Sequence, residues 1–256
     1  MSTTRTDPWL ELLESAVARM PHNHLDLLID QAGCNAPLLE GIRQSAASVP
    51  WCRLFEALPE AGIAHVGPLL VRIDLGQPLQ RLWLEELIGV FGKESRLLAL
   101  VSTWPFERLA SYLGQCLEAR SAGRVGLLRY YDPRLLPLLL GQVLDTEQQR
   151  QLLRPAVFWS WLDRDGRPRQ HSGTAEHTEG FHQFHMIELS DAQLDLLHCA
   201  SDAHDALSEL SDALPREWSA ERRFQACYAA MREASDAGLM ADTQRQAFVL
   251  DRIHAG

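Results

Sequence analysis

Along the first part of the chain, apolar runs of strand length alternate with stretches whose apolar residues fall three and four apart. "LDLLID" (25–30), "LLVRID" (69–74), "RLLALVS" (96–102), "GLLRYY" (126–131) and "AVFWSWL" (156–162) predict strands. Between them "APLLEGIRQSA" (36–46), "PLQRLWLEELIG" (78–89) and "PFERLASYLGQCLEA" (105–119) predict helices, and the last two open with a proline at a first helical position. A short helix is expected over "DTEQQRQLL" (145–153), where Thr146 and Gln149 have capping-box spacing. The alternation predicts an α/β (α+β mixed) fold over residues 1–165, with a largely buried sheet flanked by helices.

The pattern then changes. "DRDGRPRQHSGTAEHTEG" (163–180) has no apolar period and is rich in turn formers, so it reads as a solvated hairpin loop or linker. "FHQFHMIEL" (181–189) reads as a last extended segment, making 166–189 a loop followed by a strand. Ser190 and Gln193 have the spacing of a capping box that opens a helix over 191–214, with Leu194, Leu197, Leu207, Leu210 and Leu214 near one face. Two more helices, 218–236 and 240–254, are divided by Gly238. Residues 190–256 thus form an all-helical C-terminal lobe, small enough to need packing on the α/β part or on a partner.

Charge and composition narrow the function. Twenty-four Lys and Arg against thirty-four Asp and Glu leave a formal charge of −10, with no basic stripe interleaved with aromatics, so nucleic acid is not expected as a partner. Five cysteines, with no C-x-x-C pair, suggest neither a disulfide framework nor a zinc ribbon and read as buried thiols of a reducing compartment. The segment "MSTTRTDPWLELLESAVARM" carries acids within its apolar stretch and is not a signal peptide, and no run approaches the ~20 apolar residues that span a bilayer. A cytoplasmic protein without a membrane partner is expected.

Candidate chemistry concentrates in "GLLRYYDPRLLPLLLGQ" (126–142). On a strand, Arg129 and Tyr131 point to one face and Leu128 and Tyr130 to the other. Asp132 precedes Pro133 and is therefore pushed out of the α region, as an N-cap residue requires, while Pro133 suits the first helical position. Pro137 removes a bond in the next turn, so "PRLLPLLL" should be kinked or split. For Arg129, an acid on a neighbouring strand, such as Asp74 or Asp30, is a candidate partner. Arg129, Tyr130, Tyr131, Asp132, Pro133 and Arg134 thus read as a structural corner, with an enzyme using Arg129, Tyr131 and Asp132 as the alternative. No G-x-S-x-G, P-loop, H-E-x-x-H or G-x-G-x-x-G is present, and no cofactor is expected. His171, His177, His182 and His185 lie around the linker without a completing ligand set, so no metal site is expected. His22 and His24 flank a strand start, and His65 lies in a Gly-rich approach to another. Trp83, Trp104, Trp159 and Trp161 read as core.

"HLDLLIDQAG", "WCRLFEALPEAGIAHVGPLLVRID", "RLLALVSTWPFERLASYLGQCLEA" and above all "VGLLRYYDPRLLPLLLGQVLDTEQQRQLLRPAVFWSW" resemble, in order, the type VI secretion effector-adaptor family, catalogued as a domain of unknown function, family number 4123. The resemblance is strongest over 22–165 and most specific at "RYYDPR"; the closing helical region is similar more weakly. The family's opening strand carries an aromatic near its start, where this chain has "HNHLDLL". The resemblance implies a non-enzymatic cytoplasmic adaptor or chaperone that holds one toxic effector and delivers it to the valine-glycine-repeat (VgrG) spike protein. Such a module requires an interface of about 1,200–2,000 Å². A toxin-neutralising or structural partner protein is the other non-enzymatic possibility.

Overall fold

The structure is a computed structural model that describes residues 7–32, 49–178 and 184–255. The expected helix over 36–46, Cys34 and His182 lie outside the described residues.

Six strands form one sheet: β1 (His24–Asp30), β2 (Trp51–Arg53), β3 (Pro68–Asp74), β4 (Leu97–Val101), β7 (Phe158–Leu162) and β8 (Pro168–Ser172), in the order β2-β3-β1-β4-β7-β8. Every pairing in it is antiparallel. The second sheet is small: β5 (Glu118–Ser121) pairs antiparallel with β6 (Arg124–Leu127) and parallel with β9 (Ile187–Glu188).

Side chains of the large sheet alternate between two cores, as period-2 geometry requires. Leu25, Leu27 and Ile29 of β1, Val71 and Ile73 of β3, and Ala99 of β4 join one face. That face is covered by α1 (Pro8–Val17), α2 (Pro78–Leu87) and the π turn Ile88–Gly92 that follows α2. Asp7 caps α1 by accepting from Trp9 N–H at 2.8 Å, and the indole of the fully buried Trp9 donates to Ser160 Oγ across the core at 2.8 Å. Leu28, Leu70, Leu98, Leu100, Trp159 and Trp161 join the opposite face, under α3 (Phe106–Gln115) and α4 (Thr146–Leu153).

Polar residues inside the sheet are paired. Asp26 and Arg72 sit opposite each other in the β1–β3 register, and the guanidinium grips the fully buried carboxylate at 2.7 and 2.9 Å while also donating to Trp104 O. A buried carboxylate without such a partner would carry a severe desolvation cost.

Several expectations are corrected. The strand predicted over 126–131 ends at Leu127, and 128–131 form tight turns, because β6 is only the outer half of a hairpin that closes on Ala122 (φ +46°) and Gly123 (φ +77°). The helix predicted over 105–119 stops at Gln115, and Glu118 already belongs to β5. The α4 capping box uses Asp145 and Gln148, one residue earlier than Thr146 and Gln149, since the aspartate side chain accepts from both Glu147 N–H and Gln148 N–H. The stretch 163–180 is not only loop: it contributes β8, an edge strand whose polar residues reflect its exposed position. At its end Gly173 lies so close to Ala156 O that a Cβ would sit 1.8 Å away, so only glycine fits.

The helical lobe is as expected in number, with α5 (Asp191–Glu209), α6 (Ala220–Asp236) and α7 (Asp242–Ala255). The Ser190–Gln193 capping box opens α5. Gly238 (φ +72°) closes α6 in a Schellman arrangement, with Leu239 N–H donating to Ala234 O. The buried stripe of α5 is Cys199, Ala200, Ala203 and Ala206, small residues that let α6 approach closely; of the expected leucines, Leu207 and, beyond the end of α5, Leu210 and Leu214 join the same core. Leu194, Leu196 and Leu197 pack on the body's core instead.

Candidate functional site

The segment 128–138 leaves the small sheet and runs between the body and the helical lobe. Three tight turns shape it: Tyr130 N–H donates to Leu128 O, Asp132 N–H to Arg129 O, and Leu135 and Leu136 N–H both to Asp132 O. These turns replace strand alternation, so Leu128, Tyr130 and Tyr131 are all buried while Arg129 is half-exposed. That corrects the expected division of the four residues between two faces.

Tyr130 is enclosed completely, donates its hydroxyl to Leu113 O at 2.8 Å, and meets Trp159 and Tyr131 edge-on. Burial pushes its phenol well above the ordinary range. Tyr131 is raised by burial too, against the pull of Arg129, whose guanidinium carbon lies 5.7 Å from the ring centre.

Asp132 closes a turn rather than capping a helix as expected: Oδ1 accepts from Arg134 N–H at 2.9 Å and its carbonyl from Leu135 and Leu136 N–H, while Pro133 lies in that turn and the helical turn begins only at Leu136, with Leu135 at its N-cap position. Leu136–Leu138 is a single α turn that passes into a π turn at Leu139–Val143, so the segment is broken around Pro137 as expected. The carboxylate is also gripped by the Arg134 side chain, Nε to Oδ1 at 2.9 Å and Nη2 to Oδ2 at 2.8 Å. Burial opposes ionisation of Asp132, yet the bonds from Arg134 and the charge of Arg129 outweigh it and hold the carboxyl below the usual range. Arg129 Nη2 lies 3.1 Å from Asp30 Oδ2 and 3.6 Å from Asp132 Oδ2. Of the two candidate acids it is Asp30 that meets Arg129, from the end of β1; Asp74 stands at the other end of the β1–β3 register, opposite His24.

Arg164 is the residue that pattern reasoning missed, because it stands in a stretch read as solvated. Its guanidinium lies 3.5 Å above the centre of the Phe224 ring, donates to Arg134 O at 3.1 Å and pairs with Glu221 of α6 at 3.2 Å. A mixed pair of cavities flanks this hub. One, about 310 Å³, is lined by Leu128, Leu135, Leu138, Leu197, Phe224 and the arginines 129, 134 and 164. The other, about 380 Å³, lies between Pro133, Pro137, Leu140 and β8, with Trp161 and His171 among its walls.

The remaining candidates fall elsewhere. His22 and His24 stack at 3.5 Å beside Arg72, and His65, His177 and His185 are exposed; His171, on β8, is the one that reaches the larger cavity. Among the described residues, no group of three or more His, Cys, Asp or Glu is placed to hold a metal ion, and no helix is long and apolar enough to cross a membrane. Trp83, Trp104, Trp159 and Trp161 are core residues, and Cys116, Cys199 and Cys227 are buried free thiols.

No curated protein and no solved structure matches the chain. Residues 27–151, which run from within β1 to within α4 and contain the whole of the Arg129–Arg134 segment, match the model of the family described as "Domain of unknown function (DUF4123)".

Proposed function

We propose that the protein is a type VI secretion adaptor, which holds a toxic effector in the cytoplasm and passes it to the VgrG spike protein, without catalysing a reaction itself. The observation that carries this reading is how the family's signature segment is used. Both oxygens of Asp132 are taken up by Arg134, both tyrosine rings are buried, and Arg129 is anchored on Asp30, so the segment sets a corner between two lobes. The match of 27–151 to the DUF4123 model falls on the family to which the resemblance of "RYYDPR" points, and in that way supports the same reading. The open groove beside that corner offers a partner an apolar floor and charged edges, the composition of a protein-binding surface rather than of a reaction centre.

The test is co-purification of the tagged protein from cells that express the neighbouring genes, together with deletion of its own gene. The expected outcome is a complex containing an effector and the spike, and loss of effector export from cells that survive the deletion. Death of the producing cells would point instead to a toxin-neutralising partner. An activity that Asp132→Asn abolishes while the fold is kept would establish an enzyme.

A further inference from the structure

The smaller cavity has features that the corner itself does not require. Its floor is apolar, built from Leu128, Leu135, Leu138, Leu197 and Phe224. The apolar surface continues outward along β6, where Val125 and Leu127 are 51% and 38% exposed and, two residues apart, share one face of the strand; Leu127 is also part of the cavity wall.

The charges at its mouth are arranged by depth. The Arg129 and Arg134 side chains are 46% and 35% exposed, whereas the acids that hold them, Asp30 and Asp132, are only 7% and 9% exposed. The anions therefore lie behind and the guanidinium groups in front, so an approaching molecule meets cations. That is against the trend of a chain whose formal charge is −10. Arg164, deeper in the groove, is occupied by Glu221 and Phe224. Across the mouth, α5 presents the exposed Ser201 and His204.

We infer that this groove docks an acidic amphipathic segment of a partner protein, with leucine-sized side chains on the floor and a carboxylate on Arg129 and Arg134. Charge complementarity selects the occupant. A guanidinium front donates paired hydrogen bonds to carboxylates, and a floor of leucines whose Phe224 ring is covered by Arg164 suits aliphatic side chains better than a stacked nucleobase. The inference deepens the adaptor reading and rests on it for the identity of the partner, which would be the effector or the spike.

The probes are two fluorescein-labelled amphipathic peptides with identical leucine positions, one carrying Glu and the other Lys at its polar positions, titrated into the full-length chain by fluorescence anisotropy. The Glu peptide is expected to bind about tenfold more tightly than the Lys peptide, a preference that shrinks as salt is raised. Arg129→Gln should remove most of that preference. Because this change also strips Asp30 of a partner, His204→Glu serves as the second variant: it adds an anion at an exposed position of the mouth and should weaken the Glu peptide while favouring the Lys peptide. Leu127→Asp should weaken both peptides, whereas Leu79→Asp, on the exposed face of α2, should change neither. Equal binding of the two peptides, no binding of either, tighter binding of a single-stranded oligonucleotide, or a loss with Leu79→Asp as large as with Leu127→Asp would overturn the inference. Co-purification of the effector with the His204→Glu and Leu127→Asp proteins at undiminished yield would remove the groove and leave the adaptor reading standing. Failure of the unaltered protein to co-purify any effector would do the reverse.

Discussion

Asp132 serves two partners with one carboxylate, the Arg134 N–H as a cap and the Arg134 guanidinium as an ion pair. Asp132→Ala removes both acceptors and leaves the half-buried guanidinium facing Arg129 unshielded, so urea denaturation should show a loss of about 2 kcal/mol, of which the hydrogen bond that caps the turn is about 1. Asp132→Asn keeps one oxygen for the cap and should lose less than half as much; an alanine variant as stable as the parent would dismiss the capping account. His24 offers a test of sign. Burial, with Arg72 and the stacked His22 adding to it, lowers its pKa from 6.5 to about 4, while the Ser102 carbonyl and Asp74 pull the other way. The fold therefore favours the neutral ring, and the stability this contributes is present above pH 6.5 and drains away as pH falls toward 4. Asp26 acts oppositely: burial outweighs Arg72 and raises its pKa to about 6, so its contribution is present at low pH and lost as pH rises through 6. Denaturation midpoints at pH 7.5, 6 and 4.5 should fall less steeply on acidification in His24→Gln than in the parent; an equal or steeper fall would contradict the assignment.

At the level of elements, what the sequence made legible was burial with a period. The strands β1, β3, β4 and β7 were readable because each alternates between two dry cores, and the Ser190 cap was readable because its Gln193 partner has the spacing that geometry demands. The Asp7–Pro8 pair that begins α1 has the cap-and-first-position chemistry expected of Asp132–Pro133, so that helix was within reach too. Elements that face water left no such trace. All four residues of β6 are exposed, so its Val125–Leu127 alternation is too short and unburied to mark a strand, and β8 is a polar edge with no apolar period to read. Leu128, Tyr130 and Tyr131 misled in the opposite way, since three buried residues close together look like a strand when turns have buried them. The candidate site was legible in its residue types and in the Arg129–Asp30 pair. Its other half, Arg164 with Phe224 and Glu221, depends on a long-range meeting of lobes that local pattern does not encode.

Across the whole molecule the helical lobe and the body share structure rather than merely touch. Leu138 of the body lies in the core of the lobe, and Leu194, Leu196 and Leu197 of α5 lie against the core of the body. Polar links reinforce the exchange: Gln193 donates to Val143 O at 2.7 Å, Arg232 to Gln142 Oε1 at 3.0 Å, and Glu221 N–H to Asp165 Oδ1 at 3.3 Å. Unfolding the lobe alone would expose the leucines on both sides of α5, and burial of each such side chain stabilises by about 2 kcal/mol. The lobe therefore has no independent melting to undergo. Calorimetry of the intact chain should give one transition whose van't Hoff and calorimetric enthalpies agree. Two resolved transitions, or early loss of α-helical signal while the tryptophan environment of Trp159 and Trp161 persists, would mean that the lobes are separable units. The groove between them would then open and close with the lobe instead of being held in one shape by the Arg164 hub.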